Sequence, residues 1–369
     1  MKAVIYNTIA ITSCVITVAY LASCLSGFIN PALFWPLTFL ALGFPILAML
    51  MLVMGIGWLF LNKRVSLLLL ILFAAGFKNL SNVLAFNTGN YNVEKNKQSL
   101  RIMSWNVRSF DNNSRHAEHP DSIRRRMINF LKQQDADVLL LQEFAEYHHE
   151  TIYSNTQMLR DSLGYRYYYT SRDVILYMSY GPVEYGSAIF SKYPLTDTVK
   201  LNYQGLALPE SAISGSINFQ NKKLRLVTTH LVSMNLNKGI LVRTDEAYKK
   251  YDSAFIYGTS KFTKLKVYDQ LHARQAVALK KFAAQFKEPL LISGDFNSVP
   301  SSYTYNVMKE DLNDAFLSNG FGLGRTYASL SPTLRIDYIL TDKTLKVAQF
   351  YCPQIKLSDH FPVIADIKW

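Results

Sequence analysis

Eight side chains of the kinds that bind hard cations or move protons fall at the ends of short apolar runs. Asn106 follows Ile102-Met103-Ser104-Trp105, Glu143 follows Leu139-Leu140-Leu141-Gln142, and His230 follows Val227-Thr228-Thr229. Asp295 and Asn297 follow Leu291-Ile292-Ser293-Gly294, Asp337 lies within Arg335-Ile336-Asp337-Tyr338, and Asp359-His360 precedes Phe361-Pro362-Val363. One acid at such a place means little, because solvated turns favour Asp and Asn. The set says more: four carboxylates, two amides and two imidazoles, with no cysteine among them. Oxygen donors in that number suit Mg2+ or Mn2+ rather than zinc. Such a cation, beside a histidine that a carboxylate orients, is what phosphoester hydrolysis needs. The cation stabilises charge on the phosphoryl oxygens, and a base helps water attack in line.

The apolar runs that would position these groups read as strands. They are Leu100 to Val107, Val138 to Gln142, Ser187 to Phe190, Ile213 to Phe219, Leu224 to Thr229, Leu290 to Ser293, Arg335 to Leu340 and Val363 to Ile367. Each is short and rich in Val, Ile, Leu, Tyr and Phe. Two stretches carry helical period: Arg124 to Gln134, with Met127, Ile128 and Leu131 on one face, and His272 to Phe286, with Ala276, Leu279, Ala283 and Phe286 on another. Strands entered both through hairpins and after helices predict two packed sheets flanked by helices, an α+β domain over 99–369. The lysine-rich segment from Ser233 to Asp269 lacks strand period and reads as an insertion over the site, part of it helical, with a plain surface loop as the alternative.

The first quarter is different in kind. The chain has 369 residues with 39 Lys+Arg and 27 Asp+Glu, a formal net charge of +12, yet only Lys2, Lys63, Arg64, Lys78 and Glu94 fall before residue 95. The remainder keeps 35 basic and 26 acidic side chains, a net of +9. Apolar stretches at 4–25, 37–61 and 65–86 are each long enough to span a bilayer. They predict a three-span anchor over 1–90, followed by a polar linker at 91–98. With Lys2 and Lys63-Arg64 on the cytoplasmic side, three spans place everything after the third outside the cytoplasm, whereas two spans would leave it inside. Cys352 is alone in the part beyond the anchor, which excludes an internal disulfide or a zinc cluster there. This composition also excludes a disordered chain, a fibre and a multi-span transporter.

Six short motifs carry a resemblance. Ser-Trp-Asn-Val (104–107), Leu-Gln-Glu (141–143), Thr-His-Leu (229–231), Gly-Asp-Phe-Asn (294–297), Arg-Ile-Asp-Tyr (335–338) and Ser-Asp-His (358–360) resemble, in order, the signatures of the endonuclease/exonuclease/phosphatase family. The resemblance implies a four-layer αββα sandwich of DNase I-like type and a Mg2+-dependent phosphoesterase, with Mn2+ as an alternative. It implies Glu143 as the principal metal ligand, with Asn106 and Asp359 beside it. His360 would contact the scissile phosphate or activate water, and Asp337 would orient it. Asp295 would position the water and Asn297 would hold a phosphate oxygen. His230 would hydrogen-bond a phosphate oxygen or protonate the leaving group, and a histidine here disfavours the family's abasic-site nucleases. Glu184 is the candidate carboxylate partner of His230, and Arg325 and Thr326 are candidate substrate contacts.

Two phosphate-bearing substrates compete at this stage. A net +9 domain attracts nucleic acid by counterion release, which suits a nuclease acting on phosphodiesters. The same charge beside a bilayer suits a phospholipid or sphingolipid headgroup. An inositol phosphate ranks third, and a non-catalytic binding module on the same fold is the rival of a different class. No obligate protein partner is implied.

Overall fold

The computed structural model describes residues 1–87, 91–111, 122–148, 154–178, 181–203, 210–234, 261–329 and 331–369. Most of the expected insertion, residues 235–260, therefore lies outside the described residues. Its end, 261–269, forms the first turns of a long helix.

Helices α1 (Lys2–Cys24) and α2 (Leu37–Gly57) are long and apolar enough to cross a membrane. The expected third span is not one helix. α3 (Lys63–Ala74) and α4 (Phe77–Val83) meet at a 59° bend, so the region holds two candidate spans, or three if the bent pair is a single broken one. The break has a local cause. Gly76 lies so close to α1 that a Cβ there would come within 1.9 Å of the Tyr20 hydroxyl, and that hydroxyl donates to the Phe73 carbonyl (2.6 Å). The Ser66 hydroxyl donates to Gly55 O, and Asn79 Nδ2 to Ser23 O and Cys24 O. The start of α3 is thus beside the end of α2, and α4 is beside the end of α1. Tyr20, Phe44, Ala48, Met51, Trp58 and Leu69 form the shared interior.

The α1–α2 turn and the starts of α2 and β1 are bonded to the rest of the chain. Ser26 Oγ donates to Ser301 O, Ser301 Oγ to Ala41 O, and the Thr38 hydroxyl to the Asp269 carboxylate. The two-residue strand β1 (Ala85–Phe86) pairs with a distant one, residues 321–322. The stretch expected as a polar linker is also engaged. Tyr91 stacks on Tyr351 at 4.4 Å, the buried Arg101 guanidinium donates to Asn92 O and Val93 O, and Lys95 pairs with Asp137.

Beyond it, strands alternate side chains between two faces, and both faces are buried. In β2 (Leu100–Asn106), Leu100 and Ile102 enter one apolar cluster while Met103 and Trp105 enter another. β3 (Val138–Tyr147) does the same with Val138 and Leu140 against Leu139 and Leu141. The remaining strands are β4 (Tyr167–Thr170), β5 (Val174–Met178), β6 (Gly181–Ser191), β7 (Leu195–Asn202), β8 (Ser211–Phe219), β9 (Lys222–His230), β10 (Leu290–Asp295), β11 (Asn313–Asp314), β12 (Phe321–Gly322), β13 (Asp337–Thr341), β14 (Lys346–Tyr351) and β15 (Val363–Lys368). One sheet has the order β14-β15-β2-β3-β6-β4, with β5 also on β6; the other runs β11-β13-β10-β9-β8-β7.

Leu100, Ile102, Val138, Leu140, Ile213, Leu226, Leu291 and Ile339 fill the space between the sheets. Outside the first sheet lies α5 (Ile123–Gln134), capped by Ser122 and seated through Met127 and Leu131. Outside the second lies α6 (Lys261–Ala283), seated through Ala276, Leu279 and Phe282. The result is the expected α+β sandwich of four layers. All eight predicted strands are present, and α6 begins eleven residues before the His272 start read from period.

Candidate active site

The parallel pairs β2–β3 and β9–β10 end at the same edge of the sandwich, which gathers Asn106, Glu143, His230 and Asp295. Asp295 is opposite His230 in the β9–β10 register and opposite Asp337 in the antiparallel β10–β13 register. Gly294 permits this meeting. Its φ is +144°, and a Cβ there would come within 1.9 Å of the Thr229 carbonyl oxygen, so no other residue fits. Glu143 sits at an irregularity in the β3–β6 pairing with φ +48°, which turns its carboxylate off the strand and leaves the side chain 38% exposed.

The centre is Asp295, 1% exposed, between two imidazoles. Its Oδ2 lies 3.5 Å from His230 Nε2 and 3.5 Å from His360 Nε2. His360 Nδ1 meets both Asp337 oxygens, at 3.0 and 3.1 Å. The Asp337 and Ile336 backbone amides donate to the buried Thr326 hydroxyl. His360 is held from behind by Trp105, whose indole N–H donates to His360 O (2.9 Å), and edge-on by Tyr327 (4.9 Å). The Asn106 amide donates to Glu143 Oε1 (3.1 Å) and Asp295 Oδ2 (3.2 Å). The Asn297 amide donates to Leu231 O (2.8 Å) and lies 3.4 Å from His230 Nε2, and its backbone N–H donates to Asp295 Oδ1.

Electrostatics assign opposite characters to these groups. Burial by itself would lower the pKa of His360, but the carboxylates of Asp337, Asp295 and Asp359 outweigh it and raise the pKa to about 10. The same contest, won by Glu210, Asp295 and Glu143, raises His230 to about 10. Burial pushes Asp295 up to about 6, with the His360 charge opposing the rise and Asp337 adding to it. At neutral pH two imidazolium rings thus flank a carboxylate poised near its titration point, the separation of values that marks acid and base.

One sequence expectation is corrected by this geometry, and two more of the expected residues are engaged within their own loop. Glu184 is not the partner of His230. It pairs with His148 Nε2 (3.2 Å) and Arg172 Nε (2.9 Å), and it lines a neighbouring cavity of about 400 Å³ that includes none of the eight motif residues. The partner is Glu210, with Oε2 3.4 Å from His230 Nδ1. Arg325 turns its guanidinium onto the Tyr327 and Ala328 carbonyls and so closes its own loop. Thr326 is 1% exposed, and its hydroxyl accepts from the Asp337 backbone amide. His272 entered the sequence reading only as the start of a helix, with no role at the site. It is fully buried on α6, with Nε2 2.7 Å from Val232 O and Nδ1 3.2 Å from Ser298 Oγ, and it ties α6 to the loops behind His230 and Asn297.

The residues present suit a divalent cation. Five carboxylates (Glu143, Glu210, Asp295, Asp337 and Asp359) surround two imidazolium groups, leaving an excess of negative charge. Asp295, Asp337 and His360 each bring a donor atom within 4.8 Å of one another. That trio already satisfies itself as an ion-paired relay. The part-exposed Glu143 carboxylate, with Asn106 beside it, is the more open place for a cation.

A family model described as the endonuclease/exonuclease/phosphatase family matches residues 103–360, and one described as a domain of unknown function matches residues 6–83. No curated protein matches the chain. Among solved structures, an endonuclease/exonuclease/phosphatase from Beutenbergia cavernae superposes with a TM-score of 0.51 at 17% identity, covering 74% of this chain and 72% of that one. A protein of the same family description from Bacteroides thetaiotaomicron gives a TM-score of 0.50 at 13% identity, covering 73% and 97%. These likenesses show a shared fold.

Proposed function

The chain belongs to the endonuclease/exonuclease/phosphatase family, and on that footing we propose that it is a membrane-anchored, divalent-metal-dependent hydrolase of phosphodiester bonds. The observation that carries the reading is the buried Asp295 carboxylate between two imidazolium rings, each backed by its own acid.

Glu143 would hold the cation, with Asn106 and Asp359 next to it. When bound, Mg2+ or Mn2+ supplies charge stabilisation on the phosphoryl oxygens. The chain does the rest. His360, fixed by Asp337, points its Nε2 proton at a phosphoryl oxygen. Asp295, with a pKa near 6, accepts the proton of the attacking water. His230, kept protonated by Glu210, gives a proton to the departing oxygen. Asn297, anchored on Leu231 O, lies beside His230 and offers its other N–H to the phosphate.

The test uses the full chain in detergent with bis-p-nitrophenyl phosphate and Mg2+. Hydrolysis should be stimulated by the metal, and Glu143→Ala or His360→Ala should lower kcat/KM on the order of 1000-fold. Absence of metal-stimulated hydrolysis would sink the reading; full activity in both variants would refute the site assignment.

A further inference from the structure

α2 does more than attach the catalytic domain: its first two turns are part of the wall beside the site. Ala41 packs with Val299 and Ile336, and Leu42, Leu334 and Tyr327 complete that cluster. Ile336 directly precedes Asp337, Val299 lies two residues after Asn297, and Tyr327 touches the His360 ring. One side chain therefore separates an apolar, membrane-length helix from the His360–Asp337 pair.

Helix length fixes the depth at which this happens. The candidate span Leu37–Phe60 has 24 residues, about 36 Å at 1.5 Å per residue, against a hydrocarbon core of about 30 Å. Ala41 is four residues from its start, roughly 6 Å along the axis. With the span centred, the packing of Ala41 on Ile336 thus falls within about 3 Å of the boundary between hydrocarbon and headgroups, and the site begins near headgroup level.

The surface around the seam has the composition of that boundary. The register partners Phe86 and Phe321 are 76% and 70% exposed, and Phe262, in the first turn of α6, is 65% exposed and packs on Phe39 at 5.3 Å. Lys78 lies over the Phe28 ring and Lys266 over the Trp35 ring. Lys261 and Lys264 extend the basic row along α6. Aromatic rings interleaved with lysines, at the end of apolar helices, match the aromatic and anionic zone of a bilayer.

We propose that the substrate of this site is the phosphodiester of a lipid headgroup lying in the same bilayer as α1 and α2. This rests on the phosphodiesterase reading above. Water adds its oxygen to phosphorus while the P–O bond to the lipid backbone oxygen breaks. One water proton passes to the site and one proton passes from the site to the departing alkoxide. The lipid alcohol stays in the membrane and the phosphorylated headgroup leaves into water. A nucleic acid approaching from bulk solution has no use for a site set at this depth.

The experiment reconstitutes the full chain into vesicles of phosphatidylcholine, phosphatidylethanolamine, phosphatidylglycerol and sphingomyelin, with Mg2+. Water-soluble phosphorus is measured when radiolabelled lipid is in the protein's own vesicles and when it is only in separate, protein-free vesicles. Plasmid DNA and bis-p-nitrophenyl phosphate are assayed on the same preparation. Lipid in the same bilayer should be hydrolysed on the order of 100-fold faster than lipid in separate vesicles, with Glu143→Ala inactive. Equal rates from both vesicle pools, or plasmid cleavage with no headgroup release, overturn the proposal while bis-p-nitrophenyl phosphate is still hydrolysed. Loss of that last activity as well overturns the phosphodiesterase reading beneath it.

Discussion

His230 and His360 are chemically alike but are served by different acids, and the difference predicts how they respond to substitution. Glu210 supports His230 on the leaving-group side, so Glu210→Gln should matter most when the departing oxygen is a poor leaving group. We expect kcat to fall by about 10- to 100-fold on an alkyl phosphodiester and by under about threefold on bis-p-nitrophenyl phosphate. Glu184→Gln, which breaks a pairing outside the site, should leave both rates within about twofold. Parallel kinetics on the two esters check this, and an equal loss on both would remove His230 from the acid role. The eight motif residues were legible because each carries a strand-end signature. Glu210 had none. It follows 204–209 and precedes β8, and it reaches His230 only because β8 pairs antiparallel with β9, placing Ala212 opposite Thr229. That choice of neighbour is long-range and leaves no local mark.

At the level of elements, α6 depends on a histidine that must stay neutral. Burial lowers the pKa of His272 from its usual 6.5 to about 4, with the Val232 carbonyl and the His230 charge as smaller influences. The unfolded chain therefore binds a proton between pH 6.5 and 4 that the folded chain refuses. The contribution of His272 to stability is complete above about pH 6.5 and is lost as the pH falls towards 4, by at most about 3 kcal/mol. Thermal unfolding of the full chain across that window should show a steeper loss than His272→Gln does; parallel slopes would remove His272 as the cause. Strands with both faces buried were plain in the sequence where β3 and β10 carry the continuous apolar runs Val138–Leu141 and Leu290–Ile292, and β2 and β9 were read from the shorter Ile102-Met103 and Leu226-Val227. The edge strands β7 and β14 were missed for the opposite reason: Thr196, Asp197, Lys200 and Lys346 interrupt them, and their pairing comes from neighbours rather than composition. The early start of α6 was hidden because Lys261, Lys264 and Lys266 dilute its apolar period.

For the molecule as a whole, the ends of the helices define which side is which. Lys2 opens α1 and Lys63-Arg64 open α3 at one end of the bundle, while Ser26, Thr38 and Asn82 meet the catalytic domain at the other. If the bent α3–α4 pair is a crossing, the positive-inside tendency predicts a catalytic domain outside the cytoplasm. A reporter fused after Trp369 should be active only in a form that requires the extracytoplasmic side; a cytoplasmic signal would reverse the assignment. The sequence showed three apolar blocks but not the break at Gly76, which arises from Tyr20 on another helix. Nor did it show that residues 91–98 are stitched down through Tyr91, Asn92, Val93 and Lys95. Those stitches bear on how far the enzyme can stretch. A slack tether lets a tethered domain sample a hemisphere of radius set by its length, and a longer one widens the hunting ground. Here extra glycines inserted near residue 96 would form an idle loop, because in the proposed membrane setting height above the lipid would be set by the seam at Ser26, Thr38 and Ala41. The working distance of this protein is a property of its joint, not of its leash.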